Sequence, residues 1–294
     1  MRIFVTGATG FIGSAVVQDL IQTGHQVLGL TRTDAGAESL IAAGAAVHRG
    51  ELEDLESLRG GAEMSDGVIH CAFIHDFSKF EANCEIDRRA IEALGSAFLG
   101  SDRPLVVTSG TALAAPGRLA TEEDRPTPVM PRRSEQASDA LTAQGVRSSV
   151  VRLPQVHDTV KQGLVSYLIA VARDKGVSAY VGEGLNRWPA VHRLDAAPIY
   201  RLAIEKGTAG SCYHAIAEEG VPLREIAEAI GRGLKIPAVS ISPEEAGSHF
   251  GWLGFFAGID CPASSALTQE WLGWRPTALP GMIEDLNNMR YFEE

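Results

Sequence analysis

The stretch Met1-Arg2-Ile3-Phe4-Val5-Thr6-Gly7-Ala8-Thr9-Gly10-Phe11-Ile12-Gly13 decides the fold. Residues 2–6 are a short apolar strand that runs without a break into glycines at every third position. From Ser14 the apolar residues Val16, Val17, Leu20 and Ile21 recur at helical spacing, and Gly24 ends that helix before a second apolar run, Gln26 to Leu30. The order is therefore strand, glycine turn, helix, strand. Gly7 permits the tight exit from the strand, Gly10 lets a diphosphate approach the backbone, and Gly13 allows close helix packing. With Thr9, Phe11 and Ile12 they form a dinucleotide-binding turn whose first helical N–H groups face the phosphates. A purely structural glycine turn is the alternative.

Working outward, apolar strands are expected at 45–48, 67–72, 104–108 and 148–153, and helical stretches at 85–99 and 132–143. This alternation predicts an α/β, Rossmann-like, doubly wound parallel sheet covered on both faces. After Pro154 the regularity changes. A helix at 164–173, a short strand at 177–181 and helices at 194–205 and 221–234 lead into a tail rich in Gly, Pro and Trp. Residues 1–157 read as the dinucleotide-binding core. Residues 158–294 read as a mixed region, in which a smaller C-terminal substrate lobe alternates with segments near 183–212 that return to the core.

Of the 294 residues, 45% are hydrophobic and 21% charged, a globular balance rather than a disordered one. Asp and Glu number 37 against 26 Lys and Arg, for a formal charge of −11. Nucleic-acid coating, which needs a basic footprint, is not expected. Cys71, Cys84, Cys212 and Cys261 are too scattered for a disulfide framework or a metal site. No basic leader precedes the first strand and no run of eighteen apolar residues occurs, so a cytoplasmic, non-membrane protein acting on a small molecule is expected. The surface helices are compatible with a homodimer.

The end of the second strand bears on the dinucleotide. A carboxylate there would accept hydrogen bonds from the adenosine ribose, whereas a basic residue accommodates a 2′-phosphate. The chain offers Leu30-Thr31-Arg32-Thr33, with Asp34 farther on. Thr31 and Arg32 favour NADP(H); NAD(H) is accepted if Asp34 turns inward.

Several further motifs line up with this beginning: Gly50-Glu51-Leu52, Val68-Ile69-His70-Cys71-Ala72, Val107-Thr108-Ser109, Val151-Arg152-Leu153-Pro154, Val191-His192-Arg193-Leu194-Asp195-Ala196-Ala197 and Leu272-Gly273-Trp274-Arg275-Pro276. With the glycine turn, the chain resembles the extended or atypical short-chain dehydrogenase/reductase superfamily, including NAD-dependent epimerase/dehydratase-like proteins. The resemblance implies that Glu51 and Leu52 flank the adenine, that Cys71, Ala72 and Phe73 pass beside the diphosphate and nicotinamide-side ribose, and that Pro154 to Val156 border the nicotinamide. It also implies that Ser109 or Thr111 contacts the reacting oxygen. Members of the superfamily typically carry a Tyr-x-x-x-Lys pair, in which the lysine lowers the phenol pKa and holds the ribose. Here Pro131 falls in the tyrosine slot and Glu135 in the lysine slot. Proline offers no proton; a glutamate could accept hydrogen bonds from a ribose but not stabilise a phenolate. All five tyrosines, at 167, 180, 200, 213 and 291, lie outside that stretch.

A replacement proton donor is therefore sought at His75, just beyond the dinucleotide loop, or His157, just beyond the sixth strand, since imidazole titrates near neutrality. Arg133 is a candidate for polarising a carbonyl or binding an anionic substrate. Arg187, Trp188 and His192 form a candidate substrate wall, with the indole stacking on an apolar or aromatic portion. Asp195 is expected to cap a helix. The aromatic cluster of Phe250, Trp252, Phe255 and Phe256 could roof an apolar pocket. The leading expectation is an NADP-dependent oxidoreductase interconverting a carbonyl and an alcohol with a nonstandard proton donor. The alternatives are a catalytically silent NADP sensor or interaction protein, and a nucleotide-sugar epimerase or dehydratase.

Overall fold

A computed structural model describes residues 1–294 except 113, 127–130, 278, 290, 291, 293 and 294. Twelve strands are described: β1 (Arg2–Thr6), β2 (Gln26–Thr31), β3 (Ala46–Arg49), β4 (Gly67–His70), β5 (Pro104–Gly110), β6 (Arg147–Leu153), β7 (Gln155–His157), β8 (Ser178–Val181), β9 (Arg187–His192), β10 (Cys212–His214), β11 (Glu218–Pro222) and β12 (Ala238–Ile241). The larger sheet is parallel throughout, in the order β10-β6-β5-β4-β1-β2-β3. This is the doubly wound arrangement expected from the sequence. Its strand order reverses at β1, leaving a crevice at the C-terminal ends where ligands bind in such sheets.

Helices cover both faces, because every central strand is buried on both sides. On one face α1 (Phe11–Gln22) lies against α7 (Arg193–Lys206), with Val16, Leu20, Ile199, Tyr200 and Ala203 packed over Ile3, Val5 and Ile69. On the other face α3 (Leu55–Glu63), α4 (Phe80–Ser96) and α5 (Ser134–Ala143) bury Leu58, Ile91, Leu94 and Leu141 against Phe4, Val68, Leu105 and Val107. A nine-residue helix α2 (Asp34–Ala42) connects β2 to β3.

The smaller lobe holds a three-stranded sheet, β11-β9-β7, and a two-stranded one, β12-β8. Its core gathers Val165 and Ile169 of α6 (Val165–Lys175), Ile226 and Ile230 of α8 (Leu223–Leu234), and Phe250 and Leu253 of the tail. Four short helices complete the tail: α9 (Ala246–Phe250), α10 (Gly254–Gly258), α11 (Ala266–Leu272) and α12 (Met282–Asn287). Asp195 does not serve as the helix cap. His192 occupies the N-cap of α7, accepting from Leu194 N, while the Asp195 carboxylate takes Thr277 N at 3.0 Å and its hydroxyl at 2.7 Å, fastening the tail to α7.

β10 is locked to the tail by a buried polar group. Arg152 Nη1 donates to His214 Nε2 at 3.1 Å, so the imidazole donates from Nδ1 to the Ser264 carbonyl at 2.8 Å. An imidazole accepting from a guanidinium must be neutral there. Burial and then Arg152 accordingly push the His214 pKa down to about 4. Between about pH 6.5 and pH 4 the unfolded chain binds the extra proton, so this contribution to stability is full above the unfolded pKa and is lost as pH falls toward 4. Thermal melts at pH 7 and pH 5 should show a fall in Tm for the native protein and a smaller fall for His214→Gln.

Candidate functional site

The turn between β1 and α1 is built by contact, not by propensity alone. Gly7 has φ +65°, and a Cβ there would lie 2.8 Å from Ala72 N; a Cβ on Gly13 would lie 2.0 Å from Gly7 O. Both glycines are required for the strand exit and the helix start to touch. Gly10 occupies the N-cap of α1 and supplies no side-chain cap, whereas Thr33 caps α2 and Asp54 caps α3. The N–H groups of the first turn of α1 thus face the crevice unclaimed by any capping side chain, as a diphosphate requires.

Two cations stand over the same turn. The Arg193 guanidinium lies 5.3 Å and the Lys161 ammonium 5.8 Å from the centroid of the Phe11 ring. Arg193 is oriented by Asp158 at 2.9 Å. Neither cation was singled out in the sequence. Arg193 sits inside a quoted motif, but nothing near Lys161 in the chain signals its position.

At the adjoining edge of β4 and β5, buried polar groups form a continuous chain. Thr6 Oγ1 lies 2.8 Å from His70 Nδ1, and His70 Nε2 lies 3.2 Å from Asp87 Oδ1. Ser134 donates to Asp87 Oδ2 at 2.6 Å and accepts from Arg132 Nε at 2.9 Å; Arg132 Nη2 donates to the Thr108 carbonyl at 2.9 Å. The hydrogen bond from His70, the nearby Arg132 and the Ser134 hydroxyl outweigh burial and hold the Asp87 carboxyl low. The Arg132 guanidinium lies 4.5 Å from the Phe73 ring centroid.

His75 follows in the same loop, its ring edge-on to Phe73 at 5.4 Å. It is exposed, yet flanked by Phe73 and Phe77. Partial burial, then Arg132 and Lys161, lower its pKa and favour neutral imidazole. Phe77 stacks on Trp252 at 4.0 Å and 9°, and Tyr167 meets both edge-on, so the loop after β4, α6 and the tail converge on one aromatic group.

The other expected residues are placed as follows. Ser109 and Thr111 stand at the end of β5, buried; the Thr111 hydroxyl reaches the Leu153 carbonyl at 3.5 Å. Cys71 is packed beneath Thr108 and Tyr200, and burial raises its thiol pKa to about 12. Ala72 and Phe73 are half-buried beside the glycine turn, Pro154 and Val156 flank the end of β6, and Glu51 and Leu52 follow β3.

Several expected contacts are turned elsewhere. Glu135 does not face a ribose: Arg152 Nε and Nη2 donate to its two carboxylate oxygens at 2.9 and 2.7 Å, with both side chains buried. Trp188 does not form an open wall, being 1% exposed with Nε1 donating to the Phe256 carbonyl. Arg187 is held by Asp260 at 2.9 Å. His157 and His192 meet edge-on at 5.7 Å, and His157 Nδ1 lies 2.7 Å from Asp285 Oδ2 of α12. Burial pushes His157 down to about 4 and Asp285 up to about 6, so this group fastens the tail. Arg133 stands at the N-cap of α5. Tyr291 lies outside the described residues. Among the described residues, no three His, Cys, Asp or Glu side chains are placed to hold a metal ion, and no helix is long and apolar enough to cross a membrane.

A sequence profile of the NAD dependent epimerase/dehydratase family matches residues 3–216. The chain belongs to that family. It is an NAD(P)-binding enzyme of the epimerase/dehydratase type. An uncharacterized protein of Schizosaccharomyces pombe is 51% identical over 296 residues, covering 99% of this chain and 100% of its own. A UDP-glucose 4-epimerase of Streptomyces lividans is 26% identical, over 94% of this chain and 92% of its own. Among solved structures, the Thermus thermophilus UDP-glucose 4-epimerase complex with NAD superimposes with a TM-score of 0.77 at 20% identity, covering 100% of this chain and 99% of that one. The Streptomyces venezuelae dTDP-glucose 4,6-dehydratase with NAD gives 0.78 at 19% identity, covering 99% and 96%.

These NAD complexes overturn the expectation of NADP(H). The physical reason lies at the end of β2. Arg32 is exposed, and Thr31 is 6% exposed with its hydroxyl turned toward Gly36 and Thr33. One exposed guanidinium is not a built phosphate site, and sequence position alone could not reveal that the Thr31 hydroxyl is packed against the turn that starts α2.

The glycine contacts give a direct stability test. Gly13→Ala should cost about 1–3 kcal/mol by overpacking against Gly7. Gly60→Ala, inside α3 with nothing within 4 Å of the added carbon, should gain about 0.5–1 kcal/mol. Denaturant unfolding of both variants checks the contrast; equal effects would refute the packing account.

Proposed function

We propose that this protein binds NAD across the C-terminal edge of the larger sheet and acts by hydride transfer at an alcohol or carbonyl carbon of a nucleotide-linked sugar. The observation that carries the reading is the uncapped, glycine-lined start of α1 facing Lys161 and Arg193, two cations over Phe11 in a chain of net charge −11. Diphosphates match that arrangement. The similarity to a UDP-glucose 4-epimerase along 94% of the chain supports the same substrate class.

When bound, NAD supplies a hydride acceptor or donor. The chain's own groups would do the rest. Backbone N–H groups of the turn, from Gly7, Thr9 and Gly10 to Phe11, Ile12 and Gly13, would hold the diphosphate, with Glu51 and Leu52 on the adenine side. Ala72, Phe73, Pro154 and Val156 would border the nicotinamide half, while Ser109 and Thr111 steady the reacting oxygen. His75, kept neutral by its surroundings, would accept the hydroxyl proton and return it in the reverse direction. This gives the proton a route that avoids Pro131 and the buried Glu135.

A second reading, a reductase of a carbonyl compound with an apolar or aromatic portion, is favoured by the rings of Phe73, Phe77, Phe80, Tyr167 and Trp252 beside that same edge.

Equilibrium titration with NAD and with ADP-ribose tests the site. Lys161→Gln and Arg193→Gln should each weaken both ligands by about tenfold, and absence of NAD binding by the native protein would overturn the proposal. UDP-glucose and dTDP-glucose, followed by NMR, should be converted without net NADH change. Consumption of NADH by aromatic ketones alone would select the second reading. His75→Gln should lower kcat by about 10²-fold or more while leaving NAD affinity in place.

A further inference from the structure

The residues vacated by the tyrosine and lysine positions frame an arginine that the sequence did not single out. Arg132 lies between Pro131 and Glu135, just before α5, and its guanidinium is fixed on three sides: Nε on the Ser134 hydroxyl, Nη2 on the Thr108 carbonyl, and its face on the Phe73 ring. Thr108 lies in β5 and Phe73 follows β4. Those strands stand on the opposite side of β1 from β2 and β3. In a doubly wound sheet the adenosine half of a dinucleotide lies toward the end of β2, so the β4–β5 side receives the other half.

The charge at this point is anchored. Ser134 is fully buried and hands the guanidinium on to Asp87, itself 1% exposed and hydrogen-bonded to His70, also fully buried. The carboxylate that compensates Arg132 thus sits behind the Ser134 hydroxyl, inside the fold, while the guanidinium meets Phe73 at the edge. His75, in the same loop as Phe73, is discouraged from taking a proton first by burial and then by Arg132 and Lys161.

A nicotinamide ring carries a positive charge when oxidised and none when reduced. We propose that Arg132 is a specificity-determining residue for the oxidation state of the dinucleotide, fixing a positive charge on the nicotinamide side so that NADH is bound in preference to NAD⁺. This rests on the NAD-binding part of the proposed function and deepens it by naming the form of the cofactor that the free protein selects. The oxidised form is penalised by like-charge repulsion; the reduced form is not. A single fixed charge acting across a partly desolvated edge changes such a ratio by about tenfold. Lys161 and Arg193 stand over the turn, where the diphosphate is common to both forms, so the charge fixed on the nicotinamide side is chiefly that of Arg132.

The test is equilibrium titration of native protein, Arg132→Gln and Arg132→Lys with NAD⁺, NADH and ADP-ribose, which lacks the nicotinamide. The native protein should bind NADH about tenfold more tightly than NAD⁺. Arg132→Gln should bring the two affinities together with little change for ADP-ribose, and Arg132→Lys, which keeps the charge, should retain most of the preference. An unchanged NADH to NAD⁺ ratio in Arg132→Gln would overturn the assignment while leaving NAD binding intact. If that variant fails to fold, the native ratio decides: equal affinities, or tighter NAD⁺, also overturn it. Failure of the native protein to bind either form, or ADP-ribose, defeats the underlying cofactor reading instead.

Discussion

Everything at the crevice depends on the contact between Gly13 and the Gly7 carbonyl. With a Cβ at either position the start of α1 could not sit on the strand exit, because the added carbon would fall 2.0 Å from Gly7 O in one case and 2.8 Å from Ala72 N in the other. That second distance joins the turn to the end of β4. Thr6 reinforces the join, its hydroxyl lying against His70 and accepting from Ala72 N at 3.4 Å. The glycine turn and the β4 edge are therefore one packed unit. Moving one would shift the chain of hydrogen bonds that runs through His70, Asp87 and Ser134 to Arg132.

That chain explains how the fold tolerates losing the usual tyrosine and lysine. A lysine in place of Glu135 would enter a region now occupied by the buried Arg152, which spends its guanidinium on Glu135, His214 and the Asp124 carbonyl. Reverting one residue would leave two buried cations facing each other. Removing Glu135 alone would strand Arg152 without its carboxylate, a change that typically costs about 3–5 kcal/mol. The substitution is thus part of an interior network that also fastens β10 and α11. Meanwhile the cation that reaches the crevice comes from Arg132, one residue after the proline.

The parallel sheet and the turn were legible because short-range rules govern them: apolar strands, glycines at fixed spacing and helices of sufficient length. The helices expected at 132–143, 164–173, 194–205 and 221–234 begin within two residues of those positions. The smaller lobe was less legible, since β7, β9, β11 and β12 are short and each takes its conformation from a partner distant in sequence. Site residues divided in the same way. Gly7, Gly10 and Gly13 announce themselves through backbone demands. Side chains such as Trp188, Arg187 and Glu135 carry the same letters whether they face a substrate or a neighbour. Phe256, Asp260 and Arg152 decided those cases from elsewhere in the chain. Arg132 and Arg133 are adjacent and identical in type, and only the placement of Ser134, Thr108 and Phe73 distinguishes them.

The arrangement divides labour between two kinds of positive charge. Lys161 follows β7 and Arg193 opens α7, and both act over a helix start already rich in N–H donors, a suitable place to attract any diphosphate. Arg132 lies just before α5 and is joined through the Ser134 hydroxyl to Asp87, so its charge is held on the β4–β5 side of the sheet. Burial keeps the nearby histidine, His75, neutral, and Arg132 and Lys161 add to the effect. An acidic protein that sets Arg132, Lys161 and Arg193 near one crevice can bind an anionic ligand there without becoming a general polyanion binder. Phe77, in the segment after Phe73 and His75, stacks on Trp252, so the tail is packed against the loop that follows β4.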